Sequence, residues 1–189
     1  TPRSSSAASD VYKRQGNTFT NVELLIGALN GGTINLSTVA DIDGGHTQFL
    51  ASGNNSEINL TALASFTDTG RGDSTIVASE SGNVLLNVGI TTVIEVAVVA
   101  ENGGTLSAGT LVLNPNSSLS GNSTFNANII NSGTVHSGTS PGLMTINGSY
   151  TQNADGSLET KIGGLTAGTD FDQLTIAGAA TIDGTLNIS

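Results

Sequence analysis

The chain has 189 residues, a formal net charge of −10 from 15 acidic and 5 basic residues, and no cysteine. Such a surface repels phosphate backbones and anionic lipid headgroups, which excludes nucleic-acid binding, and the lack of cysteine excludes disulfides, thiol catalysis and Cys-ligated zinc. Only 4% of the residues are aromatic and 11% are charged, but 37% are hydrophobic, a combination that predicts narrow apolar strands and many turns rather than disorder.

Residues 1–15 differ in composition from the rest of the chain. They contain Arg3, Lys13 and Arg14, three of the 5 basic residues, and no strand alternation. No apolar stretch precedes a cleavage site, so a signal peptide is not predicted. The string TPRSSSAASDVYKRQ resembles translated sequencing-adaptor read-through, and a natural disordered arm is the alternative. We expect residues 16–189 to form the folded part, as a fragment of a longer repeat protein.

A repeat of short strands follows Val22–Leu29, a segment that offers at most one or two helical turns. Thr33–Ser37 recurs as Glu57–Thr61, 24 residues later. Each copy continues with apolar residues three apart, and a third copy contains one inserted residue. These apolar residues, which we expect to point inward, are Leu36, Val39 and Ile42, then Leu60, Leu63 and Phe66, then Leu86, Val88, Ile90 and Val93. Self-similarity at a period of this length is the sequence signature of a solenoid.

A second recurring strand lies between the copies of the first. Gln48–Ser52 matches Thr75–Ser79, and Val98–Glu101 matches both more loosely. The two strands of a unit are separated by turns at Ser52–Asn54 and Ser81–Asn83, with seven residues from Ala51 to Ile58 and again from Ala78 to Leu85. Gly and Asn suit these corners because they accept positive φ.

After Gly103 the strands become shorter, and most of them alternate apolar and polar residues, as Leu143–Gly148 does. Units of this kind, with two or three strands and no capped helix, predict a coiled solenoid. About eight coils, each about 4.8 Å above the last, would make a rod of about 40 Å. Asn and Thr stacked in register can form hydrogen-bonded ladders on its surface. Leucine-rich-repeat-like coils are the alternative for residues 31–100, because the L-x-x-L-x-x-[I/F] spacing also suits them.

The pattern of Ser140–Ser189 is the most specific in the chain. The run SPGLMTINGSYTQNADGSLETKIGG, followed by GTDFDQLTIAGAATIDGTLNIS, resembles a repeat of autotransporter-type passenger domains and other large bacterial surface proteins. The upstream units INLSTVADI and INLTALASF resemble repeats of the same proteins, so the resemblance covers most of residues 31–189. It implies an all-β, right-handed single-stranded parallel β-helix that is secreted or displayed at the outer membrane.

The resemblance implies a structural function, as a passenger or stalk segment without catalysis. An adhesin that binds a glycan or an extracellular-matrix partner is the first alternative, and a β-helix polysaccharide lyase or hydrolase is the second. The rest of the parent chain is the other expected partner. No membrane span is predicted, because the most apolar window, Val84–Ala100, is interrupted by polar residues and is shorter than the roughly 20 residues that a span needs.

Two motifs invite a functional reading. Gly138–Gly142 satisfies the GxSxG pattern, but a nucleophile elbow requires a helix after the serine. Pro141 follows Ser140 instead, and the next residues alternate as a strand, so a turn is predicted. Gly70–Asp73 contains the tripeptide Arg-Gly-Asp and a single Gly-x-Gly-Asp string. Calcium-binding repeats of that type need tandem copies, and we predict a solvated loop.

Two pairs of carboxylates lie at alternate positions, Asp41 with Asp43 and Asp170 with Asp172. Side chains two apart on a strand share a face and could bridge a divalent cation, so weak calcium binding stays open at both pairs. Solvated strand faces are the favoured interpretation. We predict no metal site and no cofactor.

The residues needed to cleave polysaccharides are scarce. Lyases need a basic residue beside the abstracted proton, and only Arg71 and Lys161 lie outside the N-terminal arm. Hydrolases of this fold use clustered aspartates with histidine, whereas His46 and His136 are 90 residues apart, with no acidic cluster matched to either. Tryptophan, a common platform for sugars, is absent. We therefore predict no catalytic residues and no enzymatic activity.

Overall fold

The computed structural model describes residues 24–68, 70, 72–138 and 141–189, and all twenty regular elements in this part of the chain are strands. The arm predicted at residues 1–15 lies outside the described residues. The strands are β1 Leu24–Leu29, β2 Thr33–Asn35, β3 Asp41–Asp43, β4 Thr47–Ser52, β5 Glu57–Asn59, β6 Ser65–Thr67, β7 Ser74–Ser79, β8 Asn83–Leu85, β9 Ile90–Ile94 and β10 Val96–Ala100. They continue as β11 Thr105–Leu113, β12 Ser118–Ser120, β13 Thr124–Asn131, β14 Thr134–His136, β15 Leu143–Ile146, β16 Tyr150–Gln152, β17 Ser157–Thr160, β18 Gln173–Ile176, β19 Ala180–Thr181 and β20 Thr185–Ile188.

The strands stack coil upon coil on three faces. Face A is an 8-stranded sheet in the order β1-β4-β7-β10-β12-β14-β17-β20. The other 12 strands form one bent sheet, whose two halves we call face B (from β2 to β18) and face C (from β3 to β19). The long strands β11 and β13 run through the bend, where their register shifts between Ser107 and Thr110. All pairing between these named strands is parallel, so the predicted parallel β-helix is confirmed.

The structure excludes two alternatives that the sequence left open. Residues 31–100 do not form leucine-rich-repeat-like coils, because each complete coil among the described residues there consists of three short strands. The described part of Val22–Leu29 is strand β1 rather than a helical turn, because it adds the first rung to face A beside β4.

The register of the strands follows the repeat read from the sequence. Thr33, Ile34 and Asn35 pair with Glu57, Ile58 and Asn59. On face A, Gln48–Ser52 pairs residue for residue with Thr75–Ser79. The coil length varies widely, however, from 16 residues between Ser118 and Thr134 to 30 residues between Leu143 and Gln173. The strands stay in register although the coils differ in length. The additional residues are therefore accommodated in the corners and loops between the strands.

The core consists of columns of apolar side chains that run along the axis. One column on face A has a member in every rung: Ile26, Phe49, Ile76, Val98, Leu119, Val135, Leu158 and Leu186. Its members from Phe49 to Leu158 are buried. Beside it, Ala28, Ala51, Ala78 and Ala100 form a second column. Each rung therefore covers the apolar surface of the one before it, which is the main source of stability in a solenoid.

The third copy of the apolar repeat departs from the prediction. Val88 and Ile90 are 84% and 58% exposed, although both were expected to point inward. Thr91 is buried in their place, and its hydroxyl donates to the Leu63 carbonyl at 2.9 Å. The cause is local, because the Asn87 side chain accepts a 2.7 Å hydrogen bond from the Gly89 N–H and turns the chain outward.

A cluster of buried polar side chains lies where strands β13 and β16 of face C end. The sequence pattern predicts apolar residues at such inward positions. The Asn131 amide donates to the Tyr150 hydroxyl at 3.2 Å, and this hydroxyl donates to Gln152 Oε1 at 2.8 Å. Asn131 Oδ1 also accepts from the Gly133 N–H at 2.9 Å. Burial raises the pKa of Tyr150 above its usual value, and a phenol is in any case protonated, and so a donor, at neutral pH. The satisfied network fixes the turn from face C to face A.

The corners between faces A and B include three type I′ turns. Their central residues all have positive φ: Asn30 and Gly31 (52° and 84°), Glu80 and Ser81 (50° and 67°), and Asn102 and Gly103 (50° and 80°). Each turn is closed by a backbone hydrogen bond, for example from Gly82 to Ser79 at 2.7 Å. Asn and Gly are the residues that this turn favours, so Glu80 and Ser81 hold a strained conformation.

Replacing both strained residues with those of the neighbouring corners, Glu80→Asn with Ser81→Gly, is expected to stabilise the protein by about 1 kcal/mol. The exposed hydrogen bond from Ser52 to Glu80, at 3.1 Å, is lost but contributes little. Urea unfolding measures the change in the free energy of unfolding. The reciprocal control, Asn102→Glu with Gly103→Ser, is expected to destabilise the protein by a similar amount. If the unchanged chain and the two variants have the same free energy of unfolding, Glu80 and Ser81 are not strained.

Candidate binding groove at a coil corner

One corner between faces A and B is longer than the corners beside it. Seven positions separate Ala51 from Ile58, but six separate Ala28 from Ile34 and six separate Ala78 from Val84, the residues paired with them in register. The equal spacing read from the sequence, Ala78 to Leu85, was wrong, because Ile58 pairs with Val84. The second coil therefore has one additional residue at this corner.

The longer corner is tightly anchored beneath its surface. Gly53 and Asn55 have φ of 96° and 62°, and the Ser56 N–H donates to the Gly53 carbonyl at 3.0 Å. Ser56 is 1% exposed. Its hydroxyl donates to the Ser52 carbonyl at 2.7 Å and accepts from the Gly31 N–H of the preceding coil at 2.9 Å. This anchoring leaves the side chains of Asn54 and Asn55 at the surface.

A groove of about 370 Å³ lies along this corner. Polar residues from three successive coils line it: Thr33, Asn54, Asn55, Ser56, Glu57, Ser81 and Asn83. Glu57 and Asn83 are paired in register, and the Asn83 amide donates to Glu57 Oε2 at 3.3 Å. Amides and hydroxyls both donate and accept, and the carboxylate accepts. The lining can therefore hydrogen-bond a ligand that has many hydroxyl groups.

Each of the two histidines faces an acid on the following coil, a pairing that was not predicted from the sequence. His46 Nδ1 lies 3.3 Å from Asp73 Oδ2, and His136 Nδ1 lies 3.2 Å from Glu159 Oε2. The sequence contained the signal, because His136 and Glu159 are separated by the same register as Thr134 and Ser157.

The two histidines do not share a site. His46 directly precedes β4 and His136 ends β14, and these strands are four steps apart in face A, which is about 19 Å. Among the described residues, each pair joins a histidine to a carboxylate of the following coil, and His46 also contacts the Gln48 amide at 3.0 Å.

Asp68 organises the loop that contains the Arg-Gly-Asp string. Its side chain is buried, with 1% of the residue exposed. Oδ1 accepts from the Gly70 N–H at 2.8 Å, and Oδ2 accepts from the N–H groups of Asp73 and Ser74 at 3.2 and 3.0 Å. Arg71 lies outside the described residues, so the predicted solvated loop stays a prediction at that position.

Asp68→Ala is expected to destabilise the protein by about 2 kcal/mol, because the N–H groups of Gly70, Asp73 and Ser74 lose a charged acceptor. Urea unfolding gives the magnitude, and amide hydrogen exchange at Gly70 and Ser74 should accelerate. Asp43→Ala serves as the control, since Asp43 is exposed on face C, and should change stability by less than about 0.5 kcal/mol. Equal effects of the two substitutions would contradict the anchoring role.

The two predicted carboxylate pairs differ in their surroundings. Asp41 and Asp43 are exposed on the same side of β3, as strand alternation predicts. Asp170 and Asp172 do not lie on a strand face, because both precede β18 in the loop that follows β17. The expectation of a solvated strand face is therefore wrong for this second pair.

Asp170 and Asp172 instead accept hydrogen bonds from the backbone. Asp170 Oδ2 accepts from the N–H groups of Leu165 and Thr166 at 3.2 and 3.0 Å. The bond from the Thr166 backbone is the main cause that lowers the pKa of Asp170. Asp172 accepts from Gly142 and Lys161, each at 2.8 Å. Within the described residues, no group of three or more His, Cys, Asp or Glu side chains could hold a metal ion.

The GxSxG string leads into a strand. Ser140 lies outside the described residues, but Leu143–Ile146, directly after the string, is strand β15 and pairs with β13. The predicted strand at this position is confirmed, and it occupies the place where a nucleophile elbow requires a helix.

Comparison with protein-family models, with curated proteins and with solved structures found no match. Over the residues that the structure describes, no helix has the length and apolar character that a membrane crossing needs.

Proposed function

We propose that this chain is a structural segment, a stiff passenger or stalk of a secreted or surface-displayed bacterial protein, without a catalytic site of its own. The observation that carries the proposal is the unbroken ladder of face A, in which 8 parallel strands follow one another from β1 to β20. The apolar column beneath that ladder has a member in every rung. A continuous ladder over a continuous core is the arrangement that resists bending in a solenoid.

The outer surface suits a segment exposed to water. On face B, Thr105, Thr124, Thr145 and Thr175 follow one another in register. Beside them the Asn147 amide donates to Asn126 Oδ1 at 2.9 Å, and the Asn126 amide donates to Ser107 at 3.4 Å. Such polar ladders, with the net charge of −10, favour solubility and disfavour adhesion to anionic surfaces.

The location outside the cell rests on the resemblance of Ser140–Ser189 to repeats of bacterial surface proteins. Force spectroscopy of the full chain, held by handles at its two ends, tests the mechanical part of the proposal. We expect distinct rupture events as successive coils separate, because each coil is hydrogen-bonded to its neighbours. Extension at low force without rupture events would contradict a load-bearing role.

The rival function is cleavage of an acidic polysaccharide. Its strongest support is the two histidine–carboxylate pairs, but the pairs lie on strands four steps apart and do not form one site. We expect no unsaturated or reducing ends to form when the chain is incubated with pectin or alginate. Turnover that His46→Ala or His136→Ala abolishes would favour the enzyme over the structural segment.

A further inference from the structure

We propose that the groove at the Ser52–Glu57 corner binds a neutral sugar residue of a glycan. The first argument is the position of the additional residue. In repeat proteins an insertion in one unit maps to a loop on one face, which is often the binding face. Here the corner with the extra residue is also the corner that contributes Asn54, Asn55, Ser56 and Glu57 to the groove.

The chemistry of the lining matches pairs of neighbouring hydroxyl groups. A sugar diol donates and accepts hydrogen bonds at adjacent atoms, so it needs acceptors and donors side by side. Glu57 and Asn83, in contact at 3.3 Å, supply a carboxylate acceptor beside an amide that does both. The amides of Asn54 and Asn55 and the hydroxyls of Thr33 and Ser81 extend the same chemistry along the groove.

Other classes of ligand fit the lining less well. An anion, such as a phosphate or a uronate, would meet the Glu57 carboxylate on a chain of net charge −10. A calcium ion takes about six to eight oxygen ligands and favours several carboxylates, whereas Glu57 is the one acidic residue among those that line the groove. An apolar ligand would find no apolar side chain there.

The conformation of the corner keeps amides where the ligand would lie. Asn55 has a φ of 62°, a conformation that glycine adopts with least strain. Asparagine also accepts this conformation at little cost, so the corner holds an amide at its surface where glycine would supply none. The buried hydroxyl of Ser56, bonded to two coils, holds the corner in this shape.

Size and composition set the expected affinity. The volume of about 370 Å³ suits one sugar ring, and the groove is open to solvent, so only part of the ring would be buried. No aromatic side chain lines the groove, so hydrogen bonds act without stacking. We expect a dissociation constant on the order of 1 mM for a single sugar residue.

Nuclear magnetic resonance titration of the isotope-labelled full chain tests the proposal. The probes are the methyl glycosides of glucose, galactose, mannose and N-acetylglucosamine. At least one is expected to cause saturable shifts of the side-chain amide resonances of Asn54, Asn55 and Asn83. Asn54→Ala and Glu57→Gln are each expected to weaken binding at least tenfold, whereas Asn126→Ala, an exposed amide on face B, should leave binding unchanged.

Several results would overturn the inference. One is the lack of saturable shifts with any of the four glycosides at tens of millimolar, with spectra that show a folded chain. A second is a stronger response of the same amides to glucuronate or to calcium chloride. A third is equal weakening by Asn126→Ala, which would place the sugar elsewhere. Force spectroscopy of the chain does not depend on any of these outcomes, so the structural proposal is tested separately.

Discussion

Phe66→Ala is expected to lower the free energy of unfolding by about 4 kcal/mol, the typical cost of removing a buried phenylalanine. Phe66 is fully buried on face C. Its ring packs edge-on against Phe49 of face A, with centroids 5.8 Å apart and planes at 85°. The substitution would therefore leave a cavity between two faces of the same coil, and the parallel ladders on both sides restrict its collapse.

Urea unfolding followed by circular dichroism measures this loss. Leu165→Ala is the control, because Leu165 is 96% exposed in the loop between β17 and β18, and we expect a change of less than about 0.5 kcal/mol. A small loss for Phe66→Ala, comparable to the control, would mean that the two aromatic rings do not form a common core.

Gly104→Ala is expected to destabilise the protein by about 3 kcal/mol through steric overlap. A Cβ atom at Gly104 would coincide with the Ala78 carbonyl of the preceding coil. Gly104 itself has no positive φ, unlike Gly103 at 80°. The cost is therefore one of space between coils and not of backbone conformation.

The control for this prediction is Gly27→Ala. A Cβ atom there would make only ordinary contacts, the nearest at 3.7 Å to the Leu29 side chain. We expect Gly27→Ala to be neutral or slightly stabilising, because alanine restricts the unfolded chain. Thermal unfolding of both variants tests the prediction, with a lower melting temperature expected for Gly104→Ala only. An unchanged melting temperature for Gly104→Ala would show that the two coils are farther apart at this position.

The repeat and its register were predictable because they depend on short-range patterns. Gln48–Ser52 and Thr75–Ser79 have the same alternation, and the structure pairs them residue for residue. Apolar residues at every second position specify an inward face, and a slip by one residue would expose the whole set. The parallel β-helix follows once such strands recur at coil spacing.

The departures from the sequence prediction have local causes. Val88 and Ile90 lie outside the core because the hydrogen bond between Asn87 and Gly89 competes with continuation of the strand. A prediction that uses only hydrophobic periodicity does not take such a side-chain hydrogen bond into account. The same limit applies to Gly104, where a glycine that reads as a flexible corner residue is needed for close approach of two coils.

The sequence spacing does not predict the groove, because it aligns Ile58 with Leu85, one residue away from its true partner. Matching Ala78 with Leu85 gave the second and third coils equal corners, whereas register places Val84 opposite Ile58. The additional residue at Asn54 becomes visible only once the strand register is known. The histidine–acid pairs depend on the same register, because His136 and Glu159 are partners across adjacent coils.

The parallel stacking of coils in the stated register is the claim on which all the rest depends, and engineered disulfides test it most directly. The chain contains no cysteine, so a pair of cysteines introduced at Thr75 and Ala97, which are register partners on face A, has no competitor. Adjacent strands place such a pair within disulfide range, whereas Thr75 and Val99 are about 8 Å apart. The account predicts rapid oxidation of T75C/A97C and a free dithiol in T75C/V99C. Preferential oxidation of T75C/V99C, or of neither pair, would contradict the stacked parallel coils.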